Sequence, residues 1–204
     1  MKTRFTQITC TALSIALLSG CASYNAAPLN NLSSDVMHSS YEAKNSDVVV
    51  TAKAYDKLDC KRYLDRDVIA KGYQPIQLYI QNNSDRSYSF SLNRIDLPYA
   101  RQEEVAGKVH TSTVGRILGY GVPGVIILWP LIIPAVVDGI KSADANEALD
   151  NDFSSKIARD QTINPHSYFN KIIFVPVSDF QQSFNVTLID QESNKPKTFN
   201  VMAS

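Results

Sequence analysis

Apolar and polar residues alternate with a period of two in several short stretches of this chain. From 48 to 55, Val48, Val50, Ala52 and Ala54 alternate with Val49, Thr51, Lys53 and Tyr55. The pattern is most regular at 74–81, where Ile76, Leu78 and Ile80 should face a core and Gln77, Tyr79 and Gln81 should face away. It continues with Tyr88, Phe90 and Leu92 inward against Ser87, Ser89 and Ser91, and slips near Asn93-Arg94, as a bulge or a new strand would make it slip. Residues 169–177 are apolar on both faces through Ile172, Ile173, Phe174 and Val175, which predicts a central, fully covered strand. Phe184, Val186 and Leu188 alternate with Asn185 and Thr187, and Phe199 and Val201 point inward on a last strand. Period two marks strands, because successive side chains leave opposite faces of a pleated backbone. Turn residues separate the runs: Asn82-Asn83-Ser84-Asp85, Asn164-Pro165-His166-Ser167, and residues 191–195.

Helical spacing appears twice. Asp56 can cap a helix that Gly72 stops, with Cys60, Tyr63, Leu64 and Val68 on one apolar face. Residues 142–160 place Ala145, Leu149, Phe153 and Ile157 four apart, and Lys156 and Arg159 in the last turn, where the helix dipole favours cations. Residues 99–113 are mixed and polar and read as a connection. The predicted fold is mainly β with inserted helices: an antiparallel, immunoglobulin-like β-sandwich of about seven strands spanning 47–204.

One stretch breaks the pattern. Residues 117–137 carry no charge between Arg116 and Asp138. About 20 apolar residues suffice for a helix to cross a bilayer. Pro123, Pro130 and Pro134, with Gly119, Gly121 and Gly124, argue against a simple span. A single crossing would also put the two halves of one sandwich on opposite sides. The stretch is therefore read as an apolar helical or hairpin insert, within an inserted region of about 113–160. It covers the sheet, touches a membrane or meets a partner protein. The contact residues it offers are Tyr120, Val122, Val125, Ile127, Trp129 and Leu131, with Trp129 the anchor.

The start of the chain has its own pattern. Lys2 and Arg4 precede a short apolar core at 8–18 that ends Leu18-Ser19-Gly20-Cys21. The core is too short for a stable span and reads as a secretory signal over 1–20. Leu18-Ser19-Gly20-Cys21 is similar to the lipobox of bacterial lipoproteins, a resemblance confined to the first 21 residues. It implies cleavage before Cys21 and acylation of Cys21. Ala22, where an aspartate tends to hold such proteins at the inner membrane, implies the outer membrane. Residues 21–46, rich in Asn, Ser and Ala, read as the lipidated cysteine and a flexible tether with a reach of about 25–30 Å.

Composition narrows the function further. Lysine and arginine total 20 against 20 acidic residues, which gives no case for nucleic acid. Cys10 leaves with the signal and Cys21 takes the lipid. Cys60 is then alone and reads as a buried thiol, with pairing between chains as the alternative.

Candidate chemistry is sparse. His38, His110 and His166 have no metal-ligand spacing. Asp59, Asp65 and Asp67 interleave with Lys61, Arg62 and Arg66 and read as a salt-bridged face rather than a cation site. Asp150-Asn151-Asp152 lacks the glycine and glutamate of a calcium loop. Gly119, Gly121 and Gly124 have the spacing of a dinucleotide loop but no strand before them and prolines after. His110 beside Thr111-Ser112, and His166 beside Ser167, are the candidates for a hydrolase. The sequence therefore predicts an envelope lipoprotein without catalytic residues, cofactor or metal. It would be anchored to the bilayer through acylated Cys21 and bind or scaffold another envelope protein. Binding of an apolar ligand such as a lipid is the alternative.

Overall fold

The computed structural model describes residues 23–32, 47–110 and 132–203, the side chains of 132–141 excepted. Seven strands among them form two antiparallel sheets. The first sheet holds β1 (Val48–Ala54), β2 (Tyr73–Asn82) and β5 (Tyr168–Pro176), in the order β1-β2-β5. The second holds β3 (Tyr88–Phe90), β4 (Gln161–Ile163), β6 (Ser183–Asp190) and β7 (Pro196–Met202), in the order β4-β3-β6-β7.

The alternation read from the sequence sets the register. Ala52 lies opposite Leu78, and Ile76 opposite Ile173, so these side chains share a face. Val48, Ile76, Leu78, Ile80, Phe169 and Val175 from the first sheet join Tyr88, Phe90, Phe184, Val186, Leu188 and Val201 from the second in one core. Each such side chain stabilises the fold by about 1.5–3 kcal/mol when fully buried. Phe90 and Phe169 meet across the core with ring centroids 4.4 Å apart.

Three helices are described: α1 (Lys57–Leu64), α2 (Gln102–Val109) and α3 (Ile132–Lys156). Asp56 caps α1 as its sequence indicates. Asp59 N–H donates to Asp56 Oδ1 at 2.7 Å, and Asp56 N–H donates to Asp59 Oδ2 at 3.3 Å. Such a cap contributes about 1 kcal/mol. Helix α1 ends before Gly72. Asp65 turns left-handed with φ 48°, and a short 3₁₀ turn follows before Gly72 at φ 93°. Cys60, Tyr63, Leu64 and Val68 are all buried, as their spacing implies.

Other elements also differ from expectation. Helix α2 occupies part of the stretch read as a connection, and it buries Val105, Ala106 and Val109. Helix α3 begins ten residues before the expected Ser142 and ends four before Asp160. Its Pro134 sits in the first turn, where a missing amide proton costs nothing. Strand β5 was expected to be central, but β2 is central and β5 lies at the end of its sheet. Its apolar faces are nonetheless covered on both sides, with Ile172, Ile173, Phe174 and Val175 all buried. Its open edge is closed by backbone: Ala158 N–H donates to the Ile172 carbonyl and Ala100 N–H to the Phe174 carbonyl, each at 2.8 Å.

The chain divides into two compact units. One comprises Met1–Tyr24 and His110–Leu149, and the other Asn25–Val109 and Asp150–Ser204. Helix α3 crosses this boundary. In the first unit Ser142, Ala145 and Leu149 are buried. The second unit holds both sheets, α1, α2 and the end of α3. No helix among the described residues is long and apolar enough to cross a membrane.

Candidate functional site

The feature that distinguishes the second unit lies on the outer face of the first sheet. Residues 25–31, part of the segment read as a tether, have no regular secondary structure but are held along α1 and β2. Asn25 N–H donates to Asp65 Oδ2 at 2.9 Å, and Ala27 N–H donates to the Arg62 carbonyl at 2.8 Å. The Asn30 side-chain amide donates to the Tyr63 hydroxyl at 2.6 Å.

Beneath this strap lies a closed network of amides and phenols. Gln77 Nε2 donates to the Asn30 carbonyl at 2.6 Å and to Asn170 Oδ1 at 2.7 Å. Gln77 Oε1 accepts from the Tyr55 hydroxyl at 2.9 Å. Asn170 Nδ2 in turn donates to the Asn30 carbonyl at 3.1 Å and to Asn31 Oδ1 at 3.2 Å. The register explains the meeting: Gln77 lies opposite Ile172, so Asn170 is its diagonal neighbour on one sheet face. Burial pushes the Tyr55 phenol far above its ordinary value, with smaller contributions from Tyr63, Asp59 and Cys60, so it stays a neutral donor.

Gln77 and Tyr79 do point away from the core, as their alternation predicts, but Gln77 is only 1% exposed and Tyr79 is also buried. The expectation that this face meets solvent is corrected there. Burying Gln77 is tolerable because both ends of its amide are satisfied. Tyr79 stacks on the exposed Tyr168 at 5.8 Å.

Lys156 fastens the strap to two helices. Its ammonium donates to the Ala27 carbonyl at 2.8 Å, the Tyr63 carbonyl at 2.8 Å and Asp152 Oδ2 at 2.7 Å. These three acceptors account for its three protons. Nearby, the Phe153 ring packs on Phe174 at 5.7 Å, so the end of α3 covers the outer face of β5. Helix α2 is joined to β2 through Tyr73. The Tyr73 hydroxyl donates to Glu104, and Lys108 donates to the same hydroxyl while lying 4.6 Å from the ring centroid. The Tyr73 hydroxyl, with help from Lys108, draws the Glu104 carboxyl below its ordinary value.

The aspartates singled out in the sequence are engaged as a salt-bridged face. Asp59 pairs with Lys53 at 2.8 Å, Asp65 with Lys61 and with Arg66, and Asp67 accepts from Ala70 N–H. Asp150-Asn151-Asp152 lies within α3. Among the described residues no three His, Cys, Asp or Glu side chains cluster as metal ligands would. Cys60 is buried, and desolvation, aided by Asp67, pushes its thiol up to about 12.

The two candidate histidines sit in different units. His110 is an exposed bend residue after α2. His166 occupies a left-handed turn position, φ 51°, with Nε2 2.8 Å from Asp85 Oδ1. The Ser167 hydroxyl donates to the Asn164 carbonyl at 2.7 Å rather than to that ring. The His166–Ser167 pair therefore lacks the base–nucleophile hydrogen bond of a hydrolase. Cys21, His38, Thr111, Ser112 and the six contact residues Tyr120, Val122, Val125, Ile127, Trp129 and Leu131 lie outside the described residues.

An open pocket of about 160 Å³ lies beside the start of α2, lined by Leu92, Tyr99, Arg101, Gln102, Arg159 and Ile173 among others. Arg159 already donates to Gln102 Oε1 at 3.0 Å and to Ser154 Oγ at 2.8 Å. No protein-family model matches the chain, and no curated protein is significantly similar to it.

Proposed function

We propose that this protein is a lipid-anchored lipoprotein of the bacterial cell envelope, held at the outer membrane through acylated Cys21, with a non-enzymatic binding or scaffolding role. The observation that carries this reading is Leu18-Ser19-Gly20-Cys21 at the end of a basic-then-apolar start. The strap supports it physically, because it joins the proposed anchor to a folded body by hydrogen bonds as well as by the chain. Three side chains with perturbed acidity, Tyr55, Cys60 and Asp190, are tied into packing or turns, which also supports a structural reading. The partner-contact residues remain Tyr120, Val122, Val125, Ile127, Trp129 and Leu131.

The strand order supports an immunoglobulin-like class for the sandwich. The first, second and fifth strands share one sheet, and the third, sixth and seventh share the other, as in the immunoglobulin partition. The fourth strand departs from the constant-type order by pairing with the third.

The test is metabolic labelling with palmitate in a host that processes lipoproteins, with Cys21→Ser alongside. The expected result is a labelled, membrane-bound wild-type chain and an unlabelled, released variant. A variant retained on membranes would assign part of the anchoring to residues 117–137. An unlabelled wild-type chain would overturn the anchor.

A further inference from the structure

The strap fixes how far the folded body can stand from its anchor. Asn25 is the first residue of the second unit and is bound to Asp65, one residue past the end of α1. Cys21 precedes it by four residues. Four residues span at most about 14 Å fully extended. That is about half the reach of the whole segment 21–46 taken as a free tether.

The exposed side of α1 at this point carries three cationic side chains, one of them paired with Asp65, and one exposed apolar side chain. On α1, Lys57 and Lys61, and Leu58 and Arg62, are pairs four apart, so the four share a face. Leu58 is 79% exposed, and Lys57, Lys61 and Arg62 are exposed as well. The acidic neighbours are engaged: Asp56 in the cap, Asp59 with Lys53, Asp65 with Lys61, Arg66 and the strap, and Asp67 at Ala70. Ammonium and guanidinium groups around a single aliphatic side chain match the phosphates and acyl boundary of a lipid headgroup layer.

We propose that the Lys57, Leu58, Lys61 and Arg62 face of α1 rests on the anionic headgroup surface of the anchoring bilayer, so that the domain is oriented rather than freely tethered. This rests on the acylation of Cys21. The turn between β6 and β7 then points away from the membrane. Asp190, at the start of that turn, is paired with Arg86 just beyond the Asn82 end of β2, and α1 follows the opposite end of β1.

The acylated full chain, labelled with a fluorophore at Leu58→Cys or at Ser193→Cys, is bound to phosphatidylethanolamine–phosphatidylglycerol vesicles carrying a headgroup quencher. Buried Cys60 does not compete for the label. The expected result is strong quenching at position 58 and none at 193. Lys61→Glu with Arg62→Glu should remove the quenching at 58 while the protein still sediments with vesicles. Equal quenching at 58 and 193 in vesicle-bound protein would overturn the orientation and leave the anchor standing. Quenching at 58 that survives the double charge reversal would overturn the headgroup contact. Wild-type chain that fails to sediment with vesicles would overturn the anchor, and the orientation with it.

Discussion

Lys156→Met tests whether the strap is part of the fold. Methionine keeps most of the length and volume of the lysine and removes its ammonium. The Ala27 and Tyr63 carbonyls then lose this donor, and Asp152 loses this ion pair. An orphaned buried polar group costs about 1–3 kcal/mol. The lysine side chain is 7% exposed, so solvent cannot easily replace it. Against this stands the relief of no longer burying a charge, which offsets part of the loss. The balance is a destabilisation of about 3 kcal/mol, out of a total stability on the order of 5–15 kcal/mol. For a chain of this size that lowers Tm by roughly 6–12 °C. Asp152→Asn separates the terms. It weakens the i,i+4 ion pair of a largely buried lysine and leaves both carbonyl bonds in place. Urea unfolding should show a larger loss for Lys156→Met, which removes three bonds, than for Asp152→Asn, which weakens one. Hydrogen exchange should quicken at Ala27, whose amide is bound to the Arg62 carbonyl. A Lys156→Met loss below about 1 kcal/mol, or no change in exchange at Ala27, would refute the assignment.

Three further predictions follow from individual side chains. Asn82→Ala should cost about 2–3 kcal/mol in urea unfolding, because Asn82 Nδ2 bridges the Arg86 and Asn164 carbonyls at 2.6 and 2.8 Å in a buried site; a neutral result would mean that water replaces the amide. Cys60 should resist iodoacetamide in the native protein at pH 8 and react fully in urea, since its thiolate is disfavoured up to about 12. Native alkylation at an unhindered rate contradicts its burial. The Asp190 carboxyl is held well below its usual range by Ser193 N–H, then Arg86 and Glu192 N–H. Its contribution is therefore complete above the unfolded value of 3.8 and is lost as pH falls below it toward the folded value. Asp190→Asn should be less stable than wild type at pH 6, and the gap should narrow in acid melts below pH 3.8. A gap that widens there would reverse the sign.

The legible parts of the fold are those whose two faces differ. In 74–81 and 184–188 one face meets the core, so alternation gives strand and inward residues together. Strand β5 shows the limit. Its double-sided apolar run reports that both faces are covered, but hydrogen-bonded neighbours leave no trace in a hydrophobic pattern. Its edge is closed by the backbone of Ala158 and Ala100, which any residue but proline can supply. Helix α2 leaves a weak signal in the sequence because Gly107 and a short apolar face blur its period. Its charge order, Glu103 and Glu104 first and Lys108 last, was the available sign. In the sequence Lys156 reads as a dipole partner in the last turn, and nothing there separates that role from a buried junction.

Gln77, Asn170 and the strap share a physical reason for being hard to read. Polar periodicity reports the direction of a side chain, not whether something covers it. Gln77 points outward and is still buried, because the cover is a polar chain segment matched to it by hydrogen bonds. Such a cover has no apolar period of its own, since Asn30 and Asn31 contribute through amides and carbonyls. A run of Asn, Ser and Ala therefore looks the same whether it is a linker or a strap. The two differ in energy: a linker leaves its amides to water, whereas this strap exchanges them for bonds to Gln77, Asn170, Tyr63 and Lys156. Each exchange is worth only about 1 kcal/mol net, so residues 25–31 should be among the first parts of the second unit to open. Opening would leave the Lys156 ammonium and the Gln77 amide to find water in their place. The cost of detaching the strap therefore falls on these buried partners, and they set how firmly residues 25–31 are held to α1 and β2.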